Sequence, residues 1–318
     1  MNKTAFIFPG QGAQYVGMAM DFIDNDPSFR EILLKFDRDN GTDLYPTMQN
    51  GSEEELKETP YTQPAVLFHS IAALRTFQKE ISLQPDFVAG HSLGEFTALT
   101  ANGVLNWSDA LYLVHKRGEF MIKANQNKPY AMAAIIGLSA EQVKEICQQA
   151  SPSGTVIAVN FNTPIQTVIS GSKKGVEKAC ELAADKGAAR VVPLAVGGPF
   201  HTPLIAQAAA WLTDEFRKIK FSASTIPVIS NVDARPSTSI DEIKLNLARQ
   251  VTSPVLWVDS IRFMIEQGVS LFLEFGPRKV LAGMIRKIDN SARILSVDKM
   301  EDIREIVSYL RSSHESEK

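Results

Sequence analysis

Short apolar runs alternate with longer amphipathic stretches along most of the chain, the pattern of strands and helices in an α/β protein. Ala5 to Phe8 reads as a strand that runs into Pro9-Gly10-Gln11-Gly12-Ala13-Gln14, a loop built of residues that let backbone approach a ligand closely. After a polar stretch, the spacing predicts a helix from Pro64 to Lys79 with Pro64 in its first turn. Asp86 to Ala89 is a second strand, Gly90-His91-Ser92-Leu93-Gly94 a sharp turn, and Glu95 opens a helix. Ser108 is placed to cap another helix that runs to Lys123, and Asn125-Gln126-Asn127-Lys128-Pro129 breaks the pattern as a domain boundary would.

From Ala131 to Val196 the elements are strand (131–138), helix (139–150), strand (155–160), strand (165–170), helix (172–186) and strand (189–196). Ser139 and Gln142 have the spacing of a capping box at the first of these helices. The order βαββαβ is that of a ferredoxin-like unit. Beyond Gly197-Gly198-Pro199 the α/β alternation returns: helix 203–218, strand 227–230, helices 240–250 and 254–267, strand 270–275, a short helix, strand 293–297 and helix 303–311, with a polar tail from Ser312 expected to fray.

Composition narrows the class. A chain of 318 residues, 44% hydrophobic and 22% charged, can bury a large core and lacks the profile of disorder. Its 33 basic and 36 acidic side chains leave a net charge of −3, so no global field invites nucleic acid or an anionic membrane. Cys147 and Cys180 show no pairing or metal-binding pattern, which fits a reducing cytoplasm. No apolar run approaches the roughly 18 residues of a membrane span, and Met1 to Phe8 is too short for a signal-peptide core. A soluble, unprocessed protein is expected.

Gly90-His91-Ser92-Leu93-Gly94 fits G-x-S-x-G, in which glycines flank a serine held on a strained strand-to-helix turn. A plain βα turn would show the same five letters, but the strand before and helix after are what a nucleophile elbow demands. A serine hydroxyl needs a base to take its proton. Of the five histidines, His69 sits among apolar neighbours as a core or cleft residue, His314 lies in the tail, and His115 is off the apolar face of its helix, which suits the surface. His91 adjoins the serine on a tight turn and suits a pocket wall. His201 remains, placed after the small domain where it can face the mouth between domains. Arg117 shares its helix's apolar face with Leu113, Val114 and Met121, and an inward guanidinium must be paired. The partner is either a protein carboxylate or the carboxylate of a substrate gripped by the planar fork. No metal-ligand spacing is present, and Gly10-Gln11-Gly12 lacks the third glycine of a dinucleotide loop, Tyr15 standing there instead.

Together with Tyr61-Thr62-Gln63-Pro64-Ala65, Lys116-Arg117-Gly118, Val159-Asn160-Phe161-Asn162, Pro199-Phe200-His201, Asn231-Val232-Asp233, Gln250-Val251, Pro254-Val255 and Glu274-Phe275-Gly276-Pro277, these blocks give the chain a family resemblance. It resembles malonyl-CoA:acyl-carrier-protein transacylases and the related acyltransferase domains of polyketide synthases over nearly its whole length. Each block is weak alone; their order and separation are specific.

The resemblance implies an α/β fold, a hydrolase-like parallel-sheet large domain (1–125 and 197–318) around an inserted ferredoxin-like βαββαβ small domain (126–196). It implies that Ser92 is acylated by malonyl-CoA and passes the malonyl group to the phosphopantetheine thiol of acyl carrier protein, releasing CoA, with no permanently bound cofactor and no metal. His201 would be base and acid, oriented by a backbone carbonyl of the Gln250 segment, and the N–H groups of Gln11 and Leu93 would form the oxyanion hole. Arg117 would hold the malonyl carboxylate, with His91, Gln63, Asn160, Asn162 and Met121 lining the acyl or pantetheine path. Phe200 resembles the aromatic of malonyl-selective members, although Gly198-Pro199 departs from the residues more often found before the Phe-His pair. A monomer is expected. Lys173, Lys174, Lys178, Lys186, Arg190, Arg278 and Lys279 are candidates for a basic rim facing an acidic carrier, or are simply solvated helix faces. The alternatives are an acyltransferase with another acyl-CoA preference, a serine esterase, which would need a catalytic histidine late in the chain where only His314 stands, and an idle scaffold that binds carrier protein.

Overall fold

A computed structural model describes residues 3–316, with side chains to residue 312, so the side chain of His314 lies outside the described part. Strand β1 (Lys3–Phe8) is followed by α1 (Met20–Asn25), α2 (Ser28–Asn40), α3 (Leu44–Asn50) and α4 (Glu53–Lys57), where the sequence suggested only a polar stretch. Three of them run only five to seven residues, too few turns to show a stripe, and α2 buries only Phe29, Leu33 and Phe36, spaced along one face. A capping box of Ser52 and Glu55 opens α4.

Helix α5 (Thr59–Glu80) starts before Pro64, and Pro60 takes the first-turn place expected for that residue. Pro64 therefore lies inside the helix and has no N–H to give the carbonyl of Pro60. His115 Nδ1 reaches that carbonyl at 3.1 Å instead. His115 is buried for this reason, which corrects its expected surface position.

Strand β2 (Phe87–Gly90) leads through the serine turn to α6 (Gly94–Ala101), and α7 (Trp107–Lys123) follows, capped by Asn106 accepting from the Asp109 N–H rather than by Ser108. The next elements are β3 (Tyr130–Ile136), α8 (Ala140–Ala150), β4 (Val156–Thr163), β5 (Gln166–Ser172), α9 (Lys173–Asp185) and β6 (Arg190–Pro193). They form an antiparallel sheet in the order β4-β5-β3-β6, as the βαββαβ reading requires, and the Ser139–Gln142 capping box is present. A 3₁₀ turn at Pro203–Ile205 precedes α10 (Ala206–Phe216), so the single helix expected from 203 to 218 is broken and shorter.

The chain then builds β7 (Val228–Ile229), β8 (Pro236–Ser237), α11 (Ile240–Gln250), α12 (Trp257–Glu266), β9 (Val269–Phe275), α13 (Val280–Ile288), β10 (Arg293–Val297) and α14 (Met300–Ser316). The last helix continues past Arg311, where a frayed tail was expected. Six strands lie in the order β10-β9-β1-β2-β7-β8, parallel throughout except for the short β8. Phe8 is in register with Gly90, so the loop after β1 and the turn after β2 leave the sheet side by side at its carboxyl edge, where α/β sheets bind ligands. The segment between α11 and α12 pairs with β4 at Val255, whose N–H donates to Val159 O at 2.7 Å and whose carbonyl accepts from Phe161 N–H at 3.1 Å. Among the described residues no helix is long and apolar enough to cross a membrane.

Candidate active site

Backbone crowding builds the serine turn. A Cβ on Gly90 would sit 1.9 Å from the carbonyl of Gly94, and one on Gly94 would sit 2.2 Å from Phe8 O, so only glycine permits the chain to fold back here. Ser92 itself is held at φ 53°, a left-handed conformation that a non-glycine residue adopts at a cost. The strain is held by hydrogen bonds on both sides: Ser92 N–H donates to Asn231 Oδ1 at 2.7 Å, and Ser92 O accepts from Gln250 Nε2 at 3.0 Å. Glycine also lets the first loop close on this turn, since a Cβ on Gly10 would lie 2.5 Å from His91 O. The N–H groups of Gln11 and Leu93 thus belong to two touching loops, and neither donates to a partner among the described residues.

His201, also at positive φ (62°), receives the Ser92 hydroxyl at Nε2 over 2.9 Å. Its Nδ1–H donates to Gln250 O at 2.8 Å, which fixes the tautomer with Nε2 free to accept. Burial, and then the nearby Arg117 charge, push its pKa down to about 3, so the ring is neutral at neutral pH and able to take a proton.

Arg117 is 1% exposed and spends its terminal nitrogens on three partners. Nη1 donates to Gln63 Oε1 at 2.8 Å, and Nη2 donates to Ser92 Oγ at 3.0 Å and to Gln250 Oε1 at 2.9 Å. None of these is a carboxylate, so the direct protein ion pair that would have explained its inward face is not among its contacts. Gln250 does more than lend its backbone: its Nε2 donates to Glu95 Oε2 at 2.7 Å, and Asn231 N–H donates to the same oxygen at 3.1 Å. Asn231 Nδ2 completes the frame on Gly90 O at 2.7 Å.

No sequence pattern assigns a role to Glu95, which opens the helix after the serine turn, or to Asn231 in the block Asn231-Val232-Asp233. The available signal for Glu95 was a lone carboxylate in the run Gly94-Glu95-Phe96-Thr97-Ala98-Leu99, every residue of which is buried. For Asn231 no local signal exists, since its partners are distant in the chain.

The remaining expected residues surround this cluster. His91 Nε2 bonds Asn162 Oδ1 at 2.8 Å, linking the serine turn to β4, and its ring meets Trp257 edge-on. Met121 is buried with Sδ 3.9 Å from Gln63 Nε2. Phe200 is buried beside His201, close enough to Gly198 that a Cβ there would lie 2.9 Å from its ring. Asn160 has no hydrogen bond to the cluster, and its buried Oδ1 lacks a partner among the described residues. His69 is fully buried 3.4 Å from Asp298, outside the cluster. Of the basic-rim candidates, Lys173, Lys178, Lys186 and Lys279 are paired with carboxylates, whereas Lys174, Arg190 and Arg278 form no ion pair among the described residues.

Comparisons with known proteins agree with one another. A family model described as the acyl transferase domain matches residues 5–313. The chain is similar to the malonyl CoA-acyl carrier protein transacylase of Bacillus subtilis (strain 168), at 41% identity over 317 residues, covering 99% of this chain and 100% of that one. Among solved structures it is similar to the malonyl-CoA:acyl carrier protein transacylase of Xanthomonas oryzae pv. oryzae, with a TM-score of 0.92, 38% identity, and coverage of 97% of this chain and 98% of that one. A malonyl-transacylase solved in complex with its type II PKS acyl-carrier protein is similar at a TM-score of 0.92 and 37% identity, covering 97% of this chain and 100% of that one.

Proposed function

Because the chain belongs to the acyl transferase family, we propose that it transfers a malonyl group from malonyl-CoA, through an ester on Ser92, to the phosphopantetheine thiol of acyl carrier protein. Ser92 Oγ attacks the thioester carbonyl while His201 Nε2 takes its proton. The N–H groups of Gln11 and Leu93 receive the negative oxygen of the tetrahedral intermediate. As the intermediate collapses, the C–S bond breaks and His201 returns the proton to the leaving CoA sulfur. In the second half-reaction the carrier's thiol gives its proton to His201 and attacks the ester, and the proton then passes to Ser92 Oγ as the acyl–oxygen bond breaks. Gln250 O holds the ring in place and accepts from Nδ1–H throughout.

The observation that carries this reading is the buried Arg117, which donates to the nucleophile's own oxygen at 3.0 Å and has no direct carboxylate partner among the described residues. A malonyl group attached to Ser92 brings a carboxylate to that guanidinium. Gln63 and Met121 support the arginine, while His91, Asn160 and Asn162 line the acyl or pantetheine path. Phe200 leaves little room for an α-methyl group, a discrimination worth about 1–3 kcal/mol. Ser92, bonded to His201, does not depend on a late histidine, which disfavours the esterase reading.

We also propose that the chain divides into a large domain (1–125 and 197–318) and a small one (126–196), works as a cytoplasmic monomer without nucleic acid or membrane, and needs no permanently bound cofactor. The carrier belongs to fatty-acid synthesis or to a type II polyketide system. Incubation with malonyl-CoA and holo carrier protein tests the activity: malonyl-carrier product and free CoA are expected in equal amounts, and CoA release to water without carrier product would count for an esterase.

A further inference from the structure

Arg117 and Glu95 are buried opposite charges that do not touch. Arg117 is 1% exposed and Glu95 is 2% exposed, and the side-chain amide of Gln250 lies between them. Its Oε1 accepts from Arg117 Nη2 at 2.9 Å and its Nε2 donates to Glu95 Oε2 at 2.7 Å. The amide has one orientation open to it, because a guanidinium offers only donors and a carboxylate only acceptors. The buried cation is thus balanced through an amide bridge, and its nitrogens stay turned toward Ser92.

We propose that Glu95 is the internal counter-ion of Arg117 and sets how strongly the site prefers a carboxylate-bearing acyl group over a neutral one. This rests on the reading of Arg117 as the malonyl-carboxylate partner. A carboxylate arriving at Arg117 competes with Glu95 for the same cation and feels its like charge through low-dielectric surroundings. Neutral Glu95 therefore favours malonyl, and ionised Glu95 opposes it. By linkage, a bound malonyl carboxylate raises the proton affinity of Glu95 by the same factor. Glu95 can serve in this way near neutrality because burial lifts its pKa to about 7. Arg117 on α7 pulls that value down and Asp233, in the loop after β7, pushes it up. Burial pushes the pKa of the nearby His91 down, and that of His201 down to about 3.

The test is the ratio of kcat/KM for malonyl-CoA to that for acetyl-CoA, followed from about pH 8.5 to about pH 6. Titration of the nucleophile, His201 or the thiol acts on both donors and cancels in the ratio. In the wild type the ratio is expected to rise about fivefold or more as pH falls through 7. Glu95→Gln keeps an oxygen to accept from Gln250 and removes the charge; its ratio is expected to be high and independent of pH. A flat wild-type ratio would overturn the proposal while leaving malonyl transfer intact, and it needs no variant to be made. Retention of the wild-type pH dependence in Glu95→Gln, or equal loss with both donors and an unchanged ratio, would also overturn it. No malonyl adduct on Ser92 at any pH would remove the functional reading and this proposal together.

Discussion

The two sheets of this protein are packed in different ways. Around the four-stranded antiparallel sheet, α8 and α9 turn simple apolar stripes inward: Val143, Ile146, Cys147 and Ala150 from one, Val176, Ala179 and Ala183 from the other. At the carboxyl edge of the six-stranded sheet, the buried set includes Glu95, Arg117, His201, Asn231 and Gln250, each tied to a residue far away in the chain. The first region is held by area removed from water and tolerates exchange of similar apolar side chains. The second is a network in which loss of one member leaves a buried donor or acceptor without a partner. Two of the polar region's reacting residues, Ser92 and His201, also sit at positive φ. Stability and chemistry are therefore expected to respond to different substitutions.

The largest separation is expected at His201. His201→Ala removes the proton acceptor from the serine and is expected to lower acylation about 10³-fold, measured as the rate of CoA release in a single turnover. Arg117→Ala comes next, with malonyl transfer falling about 100-fold relative to acetyl transfer, since only malonyl offers a carboxylate; equal losses for the two donors would break the assignment. In the antiparallel region, Ile146→Ala is expected to cost about 2–5 kcal/mol in denaturant unfolding and to leave the acylation rate of the folded protein within about twofold of the wild type. A large catalytic loss there would show that the two regions are coupled.

The smallest effect concerns acid. The buried His69 and His201 have their pKa values pushed down by burial to about 4 and about 3, from 6.5. The unfolded chain binds protons at these sites before the folded one does, so their contribution to stability is full above about pH 6.5 and is lost as pH falls toward those values. Glu95 acts in the opposite sense, because its raised pKa stabilises below 4.5 and that contribution fades as pH rises through about 7. Residues 126–196 contain no histidine. Hydrogen exchange is therefore expected to rise first around α5 and the His201 segment on mild acidification, with β3 to β6 protected longer, and His69→Phe is expected to flatten part of the dependence. Earlier opening of the antiparallel sheet would contradict this placing of acid sensitivity.

The same contrast explains what the sequence made legible. The antiparallel unit was readable element by element, because amphipathic helices and apolar strands announce themselves locally. The serine turn was readable for a similar reason, its two glycines and flanking elements being contiguous. Residues 20–57 are less legible, since α1, α3 and α4 run only five to seven residues and the stripe of α2 rests on Phe29, Leu33 and Phe36 alone. The burial of His115 is not legible in its own helix, because it depends on a carbonyl that Pro64 leaves open on another helix. Glu95 and Asn231 act through long-range hydrogen bonds, and no local pattern reports who stands across a site.

The most direct test of the account is the mass of the Ser92 peptide after the protein meets equal amounts of malonyl-, methylmalonyl- and acetyl-CoA, followed by addition of holo carrier protein. The expected result is a malonyl ester on Ser92, in excess of the other acyl groups, that disappears as malonyl-carrier product forms. An unmodified Ser92, or an ester that carrier protein does not discharge, would contradict it.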